Sequence, residues 1–293
     1  MATPRHVIHT GFSVTTGELP GGDRPSEDRI HQAPGAVIVL DGVSTVSDGK
    51  PRGGWYAQIL GENLVAGLND EPDADLRQLL ESAIASMVHD HGLVPGASPA
   101  ATVSILRHRG DRIDTLVLAD SPVVAFRTSG EILQVRDDRL ARLVADRPER
   151  TAFQAALRSG RGFDNPEHRA SLQQLRAHQM LHINQHVPGG YWVAEAVPEA
   201  ARHAVVRSWP ASGITDILVM TDGVSSGVED YRLYSSWEEM ADACRTQGPG
   251  HVVRTIHEAE AQDPDGRRWP RYKRHDDKAL AHLRLNPAPE PTS

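Results

Sequence analysis

Short runs of β-type residues recur along the chain, and several stop at an aspartate: "AVIVLD", "IDTLVLAD" and "DILVMTD". With "HVIHTGFSV", "TVSILRHR", "VVAFRT" and a last run, "KALAHLRL", they are rich in Val, Ile and Thr or alternate as half-buried strands do. A chain patterned this way must pair many short strands and cover the sheets they form. Between "TVSILRHR" and "IDTLVLAD", Arg109-Gly110-Asp111-Arg112 reads as a β-hairpin turn, so pairing there is antiparallel. Helical patterns supply the cover. "GGWYAQILGENLVAGL" sets Trp55, Ile59, Leu60, Leu64 and Leu68 near one face, and "DADLRQLLESAIASMVHDH" does so with Leu76, Leu79, Leu80, Ile84 and Met87. Two further patterns, "SWEEMADACRTQ" and "GHVVRTIHEAEAQ", follow "DILVMTD".

No internal repeat and no Pro/Gly/Ser linker divides the chain, so residues 1–285 read as one domain of mixed α/β composition with mainly antiparallel sheets. A polar stretch from about Leu140 to Gln185 interrupts the strand pattern. Within it, residues 158–190 are expected to form a flap beside the site, with Arg161 and Arg169 setting substrate choice. The proline-rich "NPAPEPTS", residues 286–293, reads as a disordered tail.

Charge and composition narrow the function. Lys+Arg 31 against Asp+Glu 39 gives a net charge of −8, the wrong sign for a general nucleic-acid or anionic-membrane binder. The single Cys244 excludes an internal disulfide and a Cys-based zinc framework, which suits a reducing cytoplasm. No apolar stretch has the length of a signal peptide or a membrane span. Ser44, Ser121 and Ser225 lie in no G-x-S-x-G elbow, and neither common nucleotide-binding glycine loop occurs. His178, His182 and His186 recur every four residues, and in a polar flap helix they read as solvated rather than as a zinc site.

What remains is acidic. Glu27-Asp28 in "RPSEDR", Asp41-Gly42 in "VIVLDGVS", Asp222-Gly223 in "ILVMTDGVSSG" and Asp276-Asp277 in "RHDDKALAHLRL" all fall at strand ends. A strand ending in Asp-Gly delivers a carboxylate at the sheet edge, and the glycine lets the backbone turn and its carbonyl approach an ion. Hard divalent cations want such oxygen ligands, and two of them can clamp a phosphoryl group.

Taken in order with "LADSPVVAFR", these motifs resemble the metal-dependent protein phosphatases, type 2C, over about residues 8–285. The resemblance implies an α+β fold, a four-layer α-β-β-α sandwich of two antiparallel sheets flanked by helices. It implies a serine/threonine phosphatase in which Mg²⁺ or Mn²⁺ ions, two with a third beside them, activate a hydroxide that attacks the phosphomonoester of a protein substrate without a phosphoenzyme. By the same resemblance Asp41 bridges both metals, with the Gly42 carbonyl on the second, and Asp222 and Asp276 complete the first site. Glu27 acts on the second metal through water, and Asp28 holds waters in the outer shell. Arg24 binds substrate phosphate, with Arg29 as the alternative, and Asp120 is a third-metal ligand with Asp222. "LADSPV" carries Ala119 and Pro122 where the family has Gly and Arg, and "DGVSTV" lacks the eukaryotic His, as bacterial members often do. Two other readings stay open: a catalytically weak regulatory or binding module, and a phosphatase of a small phosphorylated metabolite.

Overall fold

The computed structural model describes residues 6–9, 11–43 and 53–285; the expected tail at 286–293 and Ser44 lie outside the described residues. The strands are β1 His6–His9, β2 Phe12–Leu19, β3 Arg29–Ala33, β4 Ala36–Leu40, β5 Gly42–Val43, β6 Ala100–Ala101, β7 Val103–Arg109, β8 Arg112–Leu118, β9 Val123–Arg127, β10 Ile132–Val135, β11 Val205–Pro210, β12 Ile214–Met220 and β13 Lys278–Leu285. The helices are α1 Gly53–Asp70, α2 Leu76–His91, α3 Arg139–Val144, α4 Pro148–Arg158, α5 Pro166–Met180, α6 Asp222–Glu229, α7 Trp237–Gln247 and α8 Pro249–Gln262, with a 3₁₀ turn at Pro198–His203.

Two large antiparallel sheets form, in the orders β1-β2-β13-β12-β9-β10 and β11-β8-β7-β4-β3, with a small antiparallel pair β5-β6. The expected hairpin joins β7 to β8, with Gly110 at φ 59°. Strand β4 explains why "AVIVL" is apolar without alternation: Val37 and Val39 enter the core between the sheets, with Val123, Ile217 and Ala281. Ile38 and Leu40 point the other way, into a layer with Tyr56, Leu60 and Leu64 of α1 and Leu80 and Ile84 of α2. On β12, Ile217 and Val219 face the inter-sheet core, while Leu218 and Met220 pack under α6, α7 and α8. Each such side chain contributes about 1.5–3 kcal/mol by leaving water, so both faces of both sheets must be covered. The four-layer α-β-β-α sandwich follows.

The phase of α1 differs from expectation by about one position. Tyr56, Ala57, Leu60, Gly61 and Leu64 are buried, and Trp55 and Ile59 sit at the margin. Gly61 sets this phase, because a Cβ there would stand 2.2 Å from the His31 ring. Helix α2 ends as its sequence demands: the Asp75 side chain caps the Arg77 and Gln78 N–H groups, and Gly92 closes the helix at φ 60°. No described helix is long and apolar enough to cross a membrane.

Candidate active site

Antiparallel pairing decides where the aspartates meet. Arg29 pairs with Leu40, which sets Asp28, just before β3, beside Asp41, just after β4. Val103 pairs with Leu118, which brings Thr102 next to the Ala119-Asp120 exit from β8. In the other sheet Met220 pairs with Leu280, so Asp222 and Asp276 leave from one end as well. A short relay joins the sheets there: the Asp41 N–H donates to Thr102 Oγ1 at 3.1 Å, and that oxygen lies 2.6 Å from Ser121 Oγ.

Crowding these acids has an electrostatic cost. Burial, then the charges of Asp28 and Asp222, pushes the Asp41 carboxyl well above the usual carboxylate range. Burial, then Asp276 and Asp120, does the same to Asp222. Asp28 is lifted to about 7 by burial, against the hydrogen bond from Thr221, with Asp276 and Asp277 adding to the rise. Burial also raises Asp120, its own N–H opposes, and Asp137 and Asp276 raise it further. Like charges brought together out of water resist ionisation, and a cation among them favours it. Lys273 brings an ammonium into the network, its Nζ donating to Asp276 Oδ1 at 2.6 Å. Burial pulls that ammonium down, but Asp276, Asp41 and Asp222 outweigh it and hold it protonated.

Hydrogen bonds hold the acids in place. Asp28 Oδ2 accepts from Thr221 Oγ1 at 2.8 Å, and Thr221 Oγ1 accepts from the Ala279 N–H at 3.1 Å. Asp277 accepts from the Gly21 N–H and the Glu27 N–H, both at 2.7 Å, and so pins the segment that carries Glu27 against the start of β13. Asp137 Oδ2 accepts from the Ala119 N–H at 3.0 Å, and Ala119 sits at φ 66°. That left-handed backbone favours glycine, which is what the resemblance puts at this position.

The Asp-Gly pairs work differently from the expected turn. Neither Gly42 nor Gly223 has positive φ. A Cβ on Gly42 would stand 2.5 Å from the Gly53 carbonyl carbon and 2.7 Å from the Glu27 oxygen; on Gly223 it would stand 2.1 Å from the Asp277 oxygen. Both are required for close backbone approach. The chain runs on into β5 after Asp41, and Asp222 opens helix α6.

Of the expected site residues, the structure brings Asp28, Asp41, Asp120, Asp222 and Asp276 into one charge network. Gly42 adjoins it, and Glu27 is half-buried beside Asp28. Arg24 is exposed and makes no side-chain hydrogen bond or ion pair among the described residues. The alternative, Arg29, is committed to the fold: it donates to the carbonyls of Ser26 and Asp28 and, through Nε, to Gln58 Oε1 at 3.1 Å.

A cleft of about 620 Å³ opens beside Asp120, Asp222 and Asp276, and its wall includes Lys273, Arg136 and Arg150. Helix α3 lends Leu140 and Val144, and α5 lends Gln179. Arg161 and Arg169, expected to set substrate choice, are not in that wall; they form exposed pairs with Glu167 and Asp164. Their acidic partners lie close by in sequence, Glu167 in the first turn of α5 and Asp164 just before its N-cap, so local pairing holds both.

Thr221 and Lys273 were not anticipated, and Asp277 was expected only as the second half of the Asp276-Asp277 pair, with no role of its own. Thr221 and Asp277 are sequence neighbours of expected ligands, and that adjacency was the available signal. For Lys273 the signal is compositional: the chain has three lysines, Lys50, Lys273 and Lys278, and two of them flank Asp276-Asp277.

Residues 20–258 match the family described as Protein phosphatase 2C. Among solved structures, the Mycobacterium tuberculosis serine/threonine phosphatase PstP/Ppp is similar at 18% identity over 94% of this chain and 99% of that one, with a TM-score of 0.55. The catalytic domain of PstP in complex with two manganese ions gives 17% identity, 94% and 98% coverage and a TM-score of 0.55. A bacterial serine phosphatase gives 12%, 93% and 97%, and 0.58. At these identities the likeness is one of fold. No curated protein matches significantly.

Proposed function

The chain belongs to the protein phosphatase 2C family, and from that premise we propose that it hydrolyses phosphoserine and phosphothreonine in proteins with Mg²⁺ or Mn²⁺ as cofactor. The observation that carries this reading is the convergence of Asp28, Asp41, Asp120, Asp222 and Asp276, from both sheets, into one network in which Asp28, Asp41, Asp120 and Asp222 resist ionisation. Its donors are carboxylate oxygens throughout, which suits a hard divalent cation rather than a thiophilic one.

In this reading Asp41, Asp222 and Asp276 would hold one ion, Asp41, the Gly42 carbonyl and Glu27 a second with Asp28 behind them, and Asp120 with Asp222 a third. Bound there, the ions supply an activated water near neutral pH and neutralise phosphoryl oxygens. The chain's own side chains do the rest. Thr221 fixes Asp28, and Asp277 fixes the Glu27 main chain, before substrate arrives. Arg24 offers a fork of donors to the phosphate. Arg136, Arg150 and Lys273 line a cleft that is otherwise rich in carboxylates, Arg136 and Lys273 being paired with Glu229 and Asp276, and once cations offset those acids the three would favour a phosphate dianion. The helical unit α3–α5, which contains most of 158–190, acts as the flap that meets the rest of the substrate chain. The buried Cys244 thiol, pushed up to about 12 by burial, is inert and suits a cytoplasmic setting.

The test is turnover of p-nitrophenyl phosphate with Mn²⁺, followed by phosphopeptides against small phosphorylated metabolites. Metal-dependent phosphopeptide turnover that Asp222→Asn removes supports the reading. Turnover confined to metabolites assigns a small-molecule phosphatase, and metal binding without turnover of any substrate assigns a regulatory module.

A further inference from the structure

The other end of the flap holds a second set of ligand-type side chains. Helix α5 stops at Met180, so His178, His182 and His186 do not line one helical face. His182 Nδ1 lies 2.9 Å from the His178 carbonyl oxygen, whereas His186 turns to the 3₁₀ helix Pro198–His203. There one ligand atom from each of His186, Glu199 and His203 lies within 4.8 Å of the others. We propose that His186, Glu199 and His203 bind a divalent transition metal of the zinc class, which fastens the loop after α5 to the 3₁₀ helix.

The site is largely pre-positioned. The His203 ring stacks on Trp192 with centroids 3.6 Å apart and planes 3° from parallel. Trp192 is buried, so it fixes that ring, and the His203 carbonyl accepts from Arg139 Nη2 at 2.9 Å. The His186 ring packs edge-on against the same indole at 4.8 Å, and its Nε2 stands 3.2 Å from Glu199 Oε1. Donors around a zinc-class ion at about 2.0–2.2 Å sit roughly 3.3 Å apart, so the exposed Glu199 and His186, already 3.2 Å from each other, must close on His203 by at most about 1.5 Å. Burial, then His186 and Arg139, pushes the His203 imidazole down, keeping it in the neutral form that offers a lone pair.

Two imidazoles and one carboxylate form a donor set for Zn²⁺, Co²⁺ or Ni²⁺ rather than Mg²⁺, with room left for water. That separates the site from the all-oxygen centre. A second trio of the same residue types, His257, Glu260 and His275, fails on charge, because Lys278 Nζ already holds Glu260 Oε2 at 2.7 Å.

The experiment uses tag-free full chain carrying Asp222→Asn, in millimolar Mg²⁺, titrated with Co²⁺ and followed by visible absorption, tryptophan emission and calorimetry. One Co²⁺ equivalent should bind, with d–d bands of nitrogen ligation and quenching of emission that Trp192→Phe diminishes. Adding His186→Ala, or separately Glu199→Gln, should weaken that equivalent at least about tenfold and abolish the rise in Tm that Zn²⁺ produces. Both side chains are exposed, so the variants should fold, and circular dichroism checks this. Absence of the equivalent in the parent, or unchanged bands and affinity in both variants, overturns the proposal.

Discussion

Asp114 and Asp41 belong to the same five-stranded sheet, one inside β8 and the other at the exit of β4, yet their surroundings are opposite. Asp114 accepts from Arg107 Nη2 at 3.0 Å and Ser208 Oγ at 2.6 Å, and lies 3.2 Å from Arg109 Nε. In the other sheet Asp216 faces His282 Nε2 at 2.8 Å and Arg245 Nη1 at 3.0 Å. Burial alone would raise both carboxyls, but their partners outweigh it and hold them below the usual range. At Asp41 and Asp222 burial and the neighbouring aspartates push the same way, upward, and outweigh Lys273. The sign of the neighbours therefore separates the two groups. A paired carboxylate belongs to the fold, and a crowd of like charges favours a cation among them, as the proposed metal centre requires.

The largest effects should come from the crowded acids. Asp41→Asn and Asp222→Asn should each lower phosphatase activity by at least about two orders of magnitude. Metal-free, both variants should melt no lower than wild type, because each removes a repelling charge. Mn²⁺ should raise the wild-type Tm more than that of either variant. Retained activity in both, or a metal-free melting temperature well below wild type, would remove the distinction drawn above.

The paired acids should behave in reverse. Asp114→Ala leaves the Arg107 guanidinium, 7% exposed, without its carboxylate, and should cost about 3 kcal/mol in urea unfolding while Mn²⁺ affinity is unchanged. A loss below about 1 kcal/mol would show that water replaces the pair at little expense.

Acidity tests the same contrast without mutation. The folded protein holds the Asp28 proton up to about 7, well above the ordinary carboxylate range, so the folded state binds that proton more tightly than the unfolded chain. The metal-free protein should keep this contribution below about pH 4 and lose it as pH rises toward about 7, a change of roughly 4 kcal/mol. Asp41, Asp120 and Asp222 shift in the same direction. Saturating Mg²⁺ should flatten the slope, and Asp28→Asn should reduce it, in melts taken across that range. Lys273→Met should steepen it and tighten Mn²⁺ several-fold by calorimetry, because it removes the ammonium that competes for Asp276 Oδ1. A weakened Mn²⁺ affinity in Lys273→Met would show that the ammonium does not compete.

How much of this was legible in the sequence depends on range. Strand ends are local signals: the apolar run of β4 and the Gly110 hairpin put Asp41 and Asp120 at exits, and antiparallel pairing brings the exits together. The sign of a neighbour is local only inside a hairpin: Arg107 stands opposite Asp114 in the register of the expected β7–β8 turn, whereas Lys273 reaches Asp41 through the fold and no spacing announced it. Gly42 and Gly223 carried a visible signal with the wrong physical reading, because close approach of Gly53 and Asp277 exists only once distant segments have packed. The phase of α1 was likewise decided by the His31 ring against Gly61 rather than by the apolar stripe alone.

The smallest effect should come from the backbone that delivers Asp120. Ala119 is left-handed at φ 66° and buried at 3% exposure. Ala119→Gly relieves about 1 kcal/mol of backbone strain, but it forfeits about 0.8 kcal/mol of methyl burial and adds about 0.4–1 kcal/mol of unfolded-state freedom. These terms nearly cancel, so stability should change by less than about 1 kcal/mol. The Ala119 N–H keeps its bond to Asp137 in either case, so Asp120 stays in reach of Asp222 and Asp276 and kcat should not change. Melting curves and steady-state rates measured together decide it. A large gain in kcat with unchanged stability would mean that the alanine displaces Asp120, so that backbone geometry as well as charge limits this corner of the centre.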